Sequence, residues 1–448
     1  MSITNWGKYP VTEAPELRYH EGMDMGDSWI PRGMGRCYGD SSLGEQMISV
    51  LSNNRFLHFD STTGILTCEA GVTYDDLLTH FVPKGWFPPV TPGTKFVSLG
   101  GAIASDVHGK NHHKEGALSS HVLSIELLTA TGEVLTCTPT QNADVFDATF
   151  GGMGLTGLVM RLTIRLKKID NSYIKLHVVK ARNLDEIMDQ FEEYNHYTYS
   201  VAWIDTIASG KNMGRSILNL GEHASSEEIA GTKFQKEPFA LHGPPKLNIP
   251  INFPNFALNP LTVRMFNFAY YNKQFKKEVH SIQHYEPFFY PLDALNNWNR
   301  IYGKRGFTQY QFAIPPENGR EGMHDILGRI SKAGLGSFLA VLKTFGPQSG
   351  MMAFPVKGYT LALDFAITKK LFPFLDELDK VVESYGGRVY LTKDVRLKPD
   401  TLARMYPQLP EFKALLDRLD PGQTIRSMQS ERLGLHGRRK EGHGSTRM

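Results

Sequence analysis

Leu158, Met160, Leu162, Ile164 and Leu166 alternate with other side chains, the two-residue period of a strand with one buried face. Shorter apolar runs bounded by turn residues, at 47–51, 56–59 and 64–72, predict further strands in the first third of the chain. Residues 122–129 and 134–138 flank Thr131-Gly132-Glu133 and predict a hairpin. Among these strands, Thr73 takes the capping position of a helix over 74–81. Its first turn holds Asp75 and Asp76 against the positive end of the helix dipole. Pro83 stops that helix, and Pro88, Pro89 and Pro92 mark an irregular stretch after it.

From about Ser172 the rhythm changes. The pattern predicts a strand over 173–179, a helix over 184–194 behind the cap Asn183, and a strand over 197–205. Residues 238–260 are rich in Pro and Asn and read as one long loop. A helix over 322–333, strands over 337–345 and 359–367, a helix over 369–385 and a strand over 388–392 follow. This is an α+β pattern, with a sheet covered on one face by helices in the second part.

Composition narrows the function classes. The 448 residues suffice for about two or three domains. Forty-nine Lys and Arg against 46 Asp and Glu leave a net charge of +3, too balanced for a general nucleic-acid binder. Basic residues do gather near the end, at Arg438, Arg439, Lys440 and Arg447. They read as a solvated, poorly ordered tail over 434–448, or as a weak contact with anionic lipid headgroups. Three scattered cysteines, Cys37, Cys68 and Cys137, form no disulfide framework and no zinc signature, which favours a reducing compartment. Residues 1–10 lack the pattern of a signal peptide, and no apolar run approaches the roughly 18–20 residues of a spanning helix. The expected location is cytoplasmic, or peripheral at the inner membrane face.

Three glycine-rich stretches carry the candidate chemistry. In Pro31-Arg32-Gly33-Met34-Gly35-Arg36-Cys37-Tyr38-Gly39-Asp40-Ser41, clustered glycines let backbone N–H groups converge on an anion such as a pyrophosphate. The spacing is not that of a Rossmann turn, and an ordinary structural turn accounts for it equally well. The second stretch runs through Pro92-Gly93-Thr94 to Ser98-Leu99-Gly100-Gly101-Ala102-Ile103-Ala104-Ser105-Asp106-Val107-His108 and on to His112 and His113. Its small residues suit a backbone lying against a flat ligand. The histidines also admit a metal reading, although no carboxylate or cysteine completes a ligand set, and no metal is expected. The third, Gly151-Gly152-Met153-Gly154-Leu155-Thr156-Gly157, implies close packing against backbone or cofactor.

Taken together, these stretches resemble the flavin domain of the vanillyl-alcohol-oxidase superfamily, the PCMH-type FAD-binding fold. Within it they are most similar to the oxidases of polyprenylphosphoryl-β-D-ribose. The resemblance continues through Trp203-Ile204-Asp205, Trp298-Asn299-Arg300, Gln309-Tyr310-Gln311, Lys343-Thr344-Phe345-Gly346-Pro347 and Tyr390-Leu391-Thr392-Lys393-Asp394. It implies a two-part FAD domain, residues 1–171 and 388–433, with a substrate domain over 172–387. The FAD contacts it implies are residues 31–41 as spelled out above, Gly93, Ser98, Leu99, Gly100, Gly101, Ser105, Asp106, Val107, His108, Val159 and Tyr390. Many members link the flavin to a histidine in the first loop. Arg36 stands there, so the resemblance implies non-covalent FAD.

The substrate pocket implied is Tyr38, His108, Phe289, Arg300, Gln309, Gln311, Lys343 and Phe345, with Lys393 and His108 as the catalytic candidates. Lys393 would either accept the hydroxyl proton or stabilise charge on the reduced flavin. Gln309 and Gln311, two apart on a strand, would point to one face and bind sugar hydroxyls. Two positions depart from the family pattern: Ala362 replaces a cysteine, and Phe289 a tyrosine. The implied reaction is oxidation of a ribose C2′ hydroxyl on a polyprenyl-phosphate sugar. It is the first half of an epimerisation that a separate NAD(P)H-dependent short-chain reductase completes, in arabinan and cell-wall synthesis. Residues 238–260, with Phe253, Phe256 and Leu258, would admit a lipid tail or form a plain surface loop. An aldonolactone or alditol oxidase of the same superfamily, and a non-catalytic flavin-fold binding protein, are the alternatives.

Overall fold

A computed structural model describes residues 2–245 and 247–436; the basic cluster Arg438, Arg439, Lys440 and Arg447 lies outside the described residues. The first part builds two sheets of three or more strands, beside two short two-stranded pairs. Strands Glu16–Arg18, Met47–Ser49 and Ile30–Arg32 form a small parallel sheet in that spatial order. A five-stranded antiparallel sheet runs Val134–Cys137, Val122–Leu128, Leu158–Arg165, Ile65–Glu69, Phe56–Asp60. The expected hairpin forms its edge, with Thr129 N–H donating to Glu133 O at 2.9 Å. The helix Tyr74–Phe81 is capped by Thr73, whose hydroxyl accepts from Asp76 N–H while the Asp76 carboxylate returns to the Thr73 backbone.

The second part is an eight-stranded antiparallel sheet. Its order is Glu278–His284, Tyr173–Ala181, Ser216–His223, Tyr199–Ile204, Ala340–Phe345, Gly358–Ala366, Phe307–Ile314, Arg388–Val389. Alternation along these strands sorts side chains to two faces. Tyr310, Phe312, Leu342, Leu361 and Leu363 pack with the core that Ile187, Met323, Ile326 and Leu375 extend from helices Leu184–Glu193, Pro316–Ala333 and Leu371–Ser384. The intervening positions face the other way, toward the glycine-rich segments. No described helix is long and apolar enough to cross a membrane.

Several elements differ from expectation. The helix Pro316–Ala333 starts six residues before 322, at a proline in its first turn. Gly319, ahead of the expected start, and Gly322 are both buried inside the helix. A Cβ at Gly319 would lie 2.6 Å from the Tyr359 ring, so the glycine permits close docking on the sheet. The strand expected over 388–392 pairs only at Arg388–Val389, because the chain turns through a 3₁₀ helix at Leu391–Lys393. The loop expected over 238–260 ends at Pro260, the first residue of an unanticipated helix, Pro260–Asn272.

The last segment returns to the first loop. Trp29 N–H donates to Thr424 O, and Arg426 N–H to Trp29 O, at 2.9 and 2.8 Å. Arg432 pairs at 2.9 Å with both Asp40 and Asp394, whose side chains are almost wholly buried. Gly39 permits this approach, since a Cβ there would sit 1.9 Å from the Asp394 carbonyl oxygen. Removing the guanidinium would strand two buried carboxylates. Arg432→Ala therefore lowers stability by about 3–5 kcal/mol, seen as a lower urea midpoint. Arg418→Ala, which breaks an exposed pair with Asp144, costs less than about 1 kcal/mol.

Candidate active site

The inner face of the eight-stranded sheet and the glycine-rich segments enclose a cavity of about 800 Å³. Its floor is a row across four neighbouring strands. Gln311 is opposite Ala362, Ala362 opposite Val341, and Val341 opposite Trp203. The opposite wall contains residues 31–38 and 41, Gly93, Ser98, Gly100, Gly101, Ser105, Val107, His108, Met153, Gly154, Val159 and Tyr390. Three separate stretches of chain thus meet around one space.

His108 is the centre of one cluster. Its Nδ1 lies 3.1 Å from Lys343 Nζ, and its Nε2 3.1 Å from the Gln311 side-chain amide. The Phe345 ring supports it at 4.7 Å between centroids. Burial and then the Lys343 charge hold the imidazole well below its usual range, so it is neutral. The Gln311 nitrogen that faces His108 Nε2 also donates to Thr360 Oγ1 at 3.3 Å, which fixes the orientation of the amide. Asp106 forms the turn that delivers His108. Its backbone is left-handed, with φ of +38°, and its buried carboxylate holds Ser119 N–H at 3.0 Å.

Lys393 is the centre of the second. Its ammonium sits 4.1 Å from the centroid of the Tyr38 ring. Burial pushes its pKa down to about 8, against the opposing pull of Asp364. Asp364 accepts from Gln309 Nε2 at 2.6 Å, and burial pushes its carboxyl up to about 7. Lys343 is pushed down to about 7 by loss of water and then by the charges of Lys110 and Lys393.

Other expected residues take different places. Arg300 turns away from the cavity, and its guanidinium donates to Ile249 O and Pro250 O at 3.0 and 2.7 Å. Phe345 packs behind His108 and His112 rather than on the cavity wall. Leu99 is a core residue. Gly39, Asp40 and Asp106 are used for backbone approach, the Arg432 pair and the Ser119 bonds, so none of them lines the cavity. Phe289 does line it, buried among Phe87, Tyr199 and Phe288.

The histidines do not converge on a metal. His112 Nδ1 accepts from Gly346 N–H, and His113 Nε2 bonds Tyr197 O. Among the described residues the group with metal-ligand spacing is His177, Glu278 and His280, away from the cavity.

Sequence reasoning missed Lys110, Asp293 and Asp364. Lys110 lines the cavity, donates to Phe289 O at 3.1 Å, and is pushed down to about 8 by burial. Its place two residues after His108 was a usable signal. Asp364 becomes visible only through the register that sets it opposite Gln309.

The wall fits a dinucleotide. Among the described residues, the backbone N–H groups of Met34, Gly35, Arg36 and Cys37 have no protein acceptor, and a Cβ on Gly93 would meet open space. Unpaired donors converging on a lined space are what a pyrophosphate requires. Arg36 lies over the Trp6 ring at 4.0 Å.

Comparison with known proteins agrees. A family model described as an FAD binding domain matches residues 23–138. The chain is 38% identical over 412 residues to a decaprenylphosphoryl-β-D-ribose oxidase of Mycolicibacterium smegmatis, covering 91% of this chain and 89% of that protein. It is 32% identical to an uncharacterized Streptomyces coelicolor protein, over 81% of this chain and all of the relative. An L-gulono-1,4-lactone dehydrogenase of Mycobacterium tuberculosis is 22% identical, over 85% of this chain and 83% of its own.

Lys343 gives the site a pH signature. It keeps its proton in the unfolded chain up to about its ordinary 10.5, but in the folded site only up to about 7. Between those values the unfolded chain binds more protons, so this residue makes stability rise with pH. The stability of Lys343→Met relative to the parent, both stripped of FAD, therefore falls between pH 7 and pH 10. Urea midpoints at intervals across that range check this; a pH-independent difference contradicts it.

Proposed function

The chain belongs to the family of FAD-dependent decaprenylphosphoryl-β-D-ribose oxidases, and from that premise we propose that it oxidises the C2′ hydroxyl of a polyprenylphosphoryl ribose. The observation that carries this reading is Lys393. It is a half-buried amine on the cavity wall, with a pKa of about 8, facing the segment that would hold the flavin. Residues 31–38, Gly93, Gly100, Gly101 and Ser105 would hold FAD without a covalent link, since His108, the one histidine on the wall among the described residues, is engaged by Lys343 and Gln311. In this reading residues 1–171 and 388–433 hold the cofactor and residues 172–387 cover it.

Bound FAD supplies the acceptor for the hydride that leaves C2′ with its electron pair. Lys393, as the neutral amine, takes the hydroxyl proton as the C–O bond becomes a carbonyl. Asp364 then stabilises the ammonium so formed. Gln309 and Asp364 hold one another at 2.6 Å, which fixes Gln309 at the cavity for a sugar hydroxyl. Neutral His108 positions Lys343, whose amine is pushed down to about 7 by burial in the empty site and would be drawn back to the ammonium form by the charge of the substrate phosphate. The apolar lining from Trp203, Phe338, Leu339 and Leu292 accepts the first isoprenoid units. The keto product needs a hydride donor to become the arabinose epimer. A separate NAD(P)H-dependent short-chain reductase meets that need.

Anaerobic mixing with a polyprenylphosphoryl ribose bleaches the flavin, and aldonolactones do not; the reverse pattern assigns the chain to lactone oxidation. Acid precipitation leaves the yellow colour in the supernatant. Lys393→Met retains FAD and slows bleaching about 10²–10⁴-fold. In the parent the bleaching rate climbs with pH and levels off above about 8, where Lys393 has lost its proton; a rate that declines through that value gives Lys393 the role of a cation instead.

A further inference from the structure

The helix Pro260–Asn272 is apolar on both sides. Val263 and Asn267 are buried against the sheet, where Asn267 donates to the Asp205 carboxylate at 2.8 Å. On the other side, Leu261, Met265 and Phe268 follow the i, i+4, i+7 spacing of one helical stripe, and they are 66, 64 and 60% exposed. Phe256 before the helix is 80% exposed and Phe275 after it 93%. A contiguous exposed apolar patch of this kind marks an interaction surface.

The charge around the patch selects the partner. No Asp or Glu occurs between Glu237 and Glu278, whereas that interval holds Lys246, Arg264, Lys273, Lys276 and Lys277. Neighbouring loops add cations tied to the same segment. Arg300 bonds Ile249 O and Pro250 O, Arg305 bonds Asn255 O at 3.2 Å, and Lys8 bonds Asn252 Oδ1 at 2.8 Å. An apolar stripe with a cationic surround is the pattern of a helix lying in the interface of an anionic bilayer. The helix also reaches the cavity, because Phe266, Tyr270 and Lys273 belong to its wall.

We propose that residues 251–275 dock on an anionic phospholipid bilayer, with Leu261, Met265, Phe268, Phe256 and Phe275 entering the acyl boundary, so that a lipid-linked sugar passes into the cavity while its tail stays in the membrane. The substrate path rests on the proposed function; the docking itself rests on the exposed stripe and its charges.

The test is flotation with phosphatidylcholine vesicles, with and without about 30% phosphatidylglycerol, using the FAD-loaded full chain and its Phe268→Ser/Phe275→Ser variant. Neither residue lines the cavity. The parent floats with the anionic vesicles, less with neutral ones, and less at high salt. The variant retains FAD and turns over a short-chain, water-soluble polyprenylphosphoryl ribose within about twofold of the parent. Its vesicle binding and its turnover of the long-chain substrate in vesicles fall at least about tenfold. A parent that does not float, a variant that floats unchanged, or a variant that merely dissociates a dimer of the chain would overturn the proposal. Flotation lost in the variant, with no turnover of either substrate by the parent, would uphold the docking surface and reject the substrate reading.

Discussion

The closure of the chain's last segment onto its first loop is the constraint on which the site depends. Gly39 removes the one Cβ that would collide with the Asp394 carbonyl, and Tyr38 N–H then reaches Thr392 O at 3.1 Å. Arg432 bridges the two carboxylates brought together, Asp40 and Asp394. Two chain regions more than 350 positions apart are thereby held in backbone contact. Lys393 lies inside that contact, and its place over the Tyr38 ring follows from it. The ion cluster is a poor source of net stability, because desolvating three charges offsets most of their attraction. Its contribution is geometric: a misplaced last segment would leave buried charge unpaired.

Burial of like charges around the cavity is the second organising feature. Lys110, Lys343 and Lys393 all line it, and each is pushed well below the usual lysine range, chiefly by loss of water. Three such amines in one enclosed space would be costly in a protein that used them only for packing. The cost is reasonable if anions arrive, and both a pyrophosphate and a polyprenyl phosphate are anions. Neutral His108 fits this arrangement, since a charged imidazole beside Lys343 would add a further repulsion. Asp364, itself shifted upward, supplies the one nearby carboxyl that steadies Lys393.

Much of this was legible in the sequence, for identifiable reasons. The hairpin, the helix capped by Thr73 and the alternating strand from Leu158 carry local signals, and local signals survive folding. The glycine stretches were informative because a missing Cβ has a meaning before the partner is known. The turns of the helix before 322 were not legible, because glycine is a weak helix former by type and what Gly319 does, letting the helix sit tightly on Tyr359, shows only once that partner is in view. Asp364 required the strand register. Arg300 was misplaced because a cation in a motif near a pocket has several acceptors within reach, and here two loop carbonyls take it. Asp106 serves the site by shaping the turn before His108, a role that residue type alone does not announce.

The helix Pro260–Asn272 shows why one-dimensional polarity failed where it mattered most for access. A helix of a water-soluble domain puts apolar residues on one side, and a sequence scan looks for that asymmetry. This helix has apolar residues on both, so the Pro- and Asn-rich segment before it dominated the reading. The inner side is fixed by Val263 and by Asn267, whose amide is tied to Asp205, itself paired with Arg215 at 2.7 Å. The helix is therefore anchored through a polar link, and its outer stripe is not a core face that slipped outward. An anchored helix with an unburied apolar stripe, at the rim of a cavity lined by Trp298, Phe338 and Leu339, joins interior and exterior apolar surface into one path. That continuity is what a substrate with a long hydrocarbon tail needs, because a tail that left the bilayer would forfeit about 0.8 kcal/mol for each methylene exposed to water.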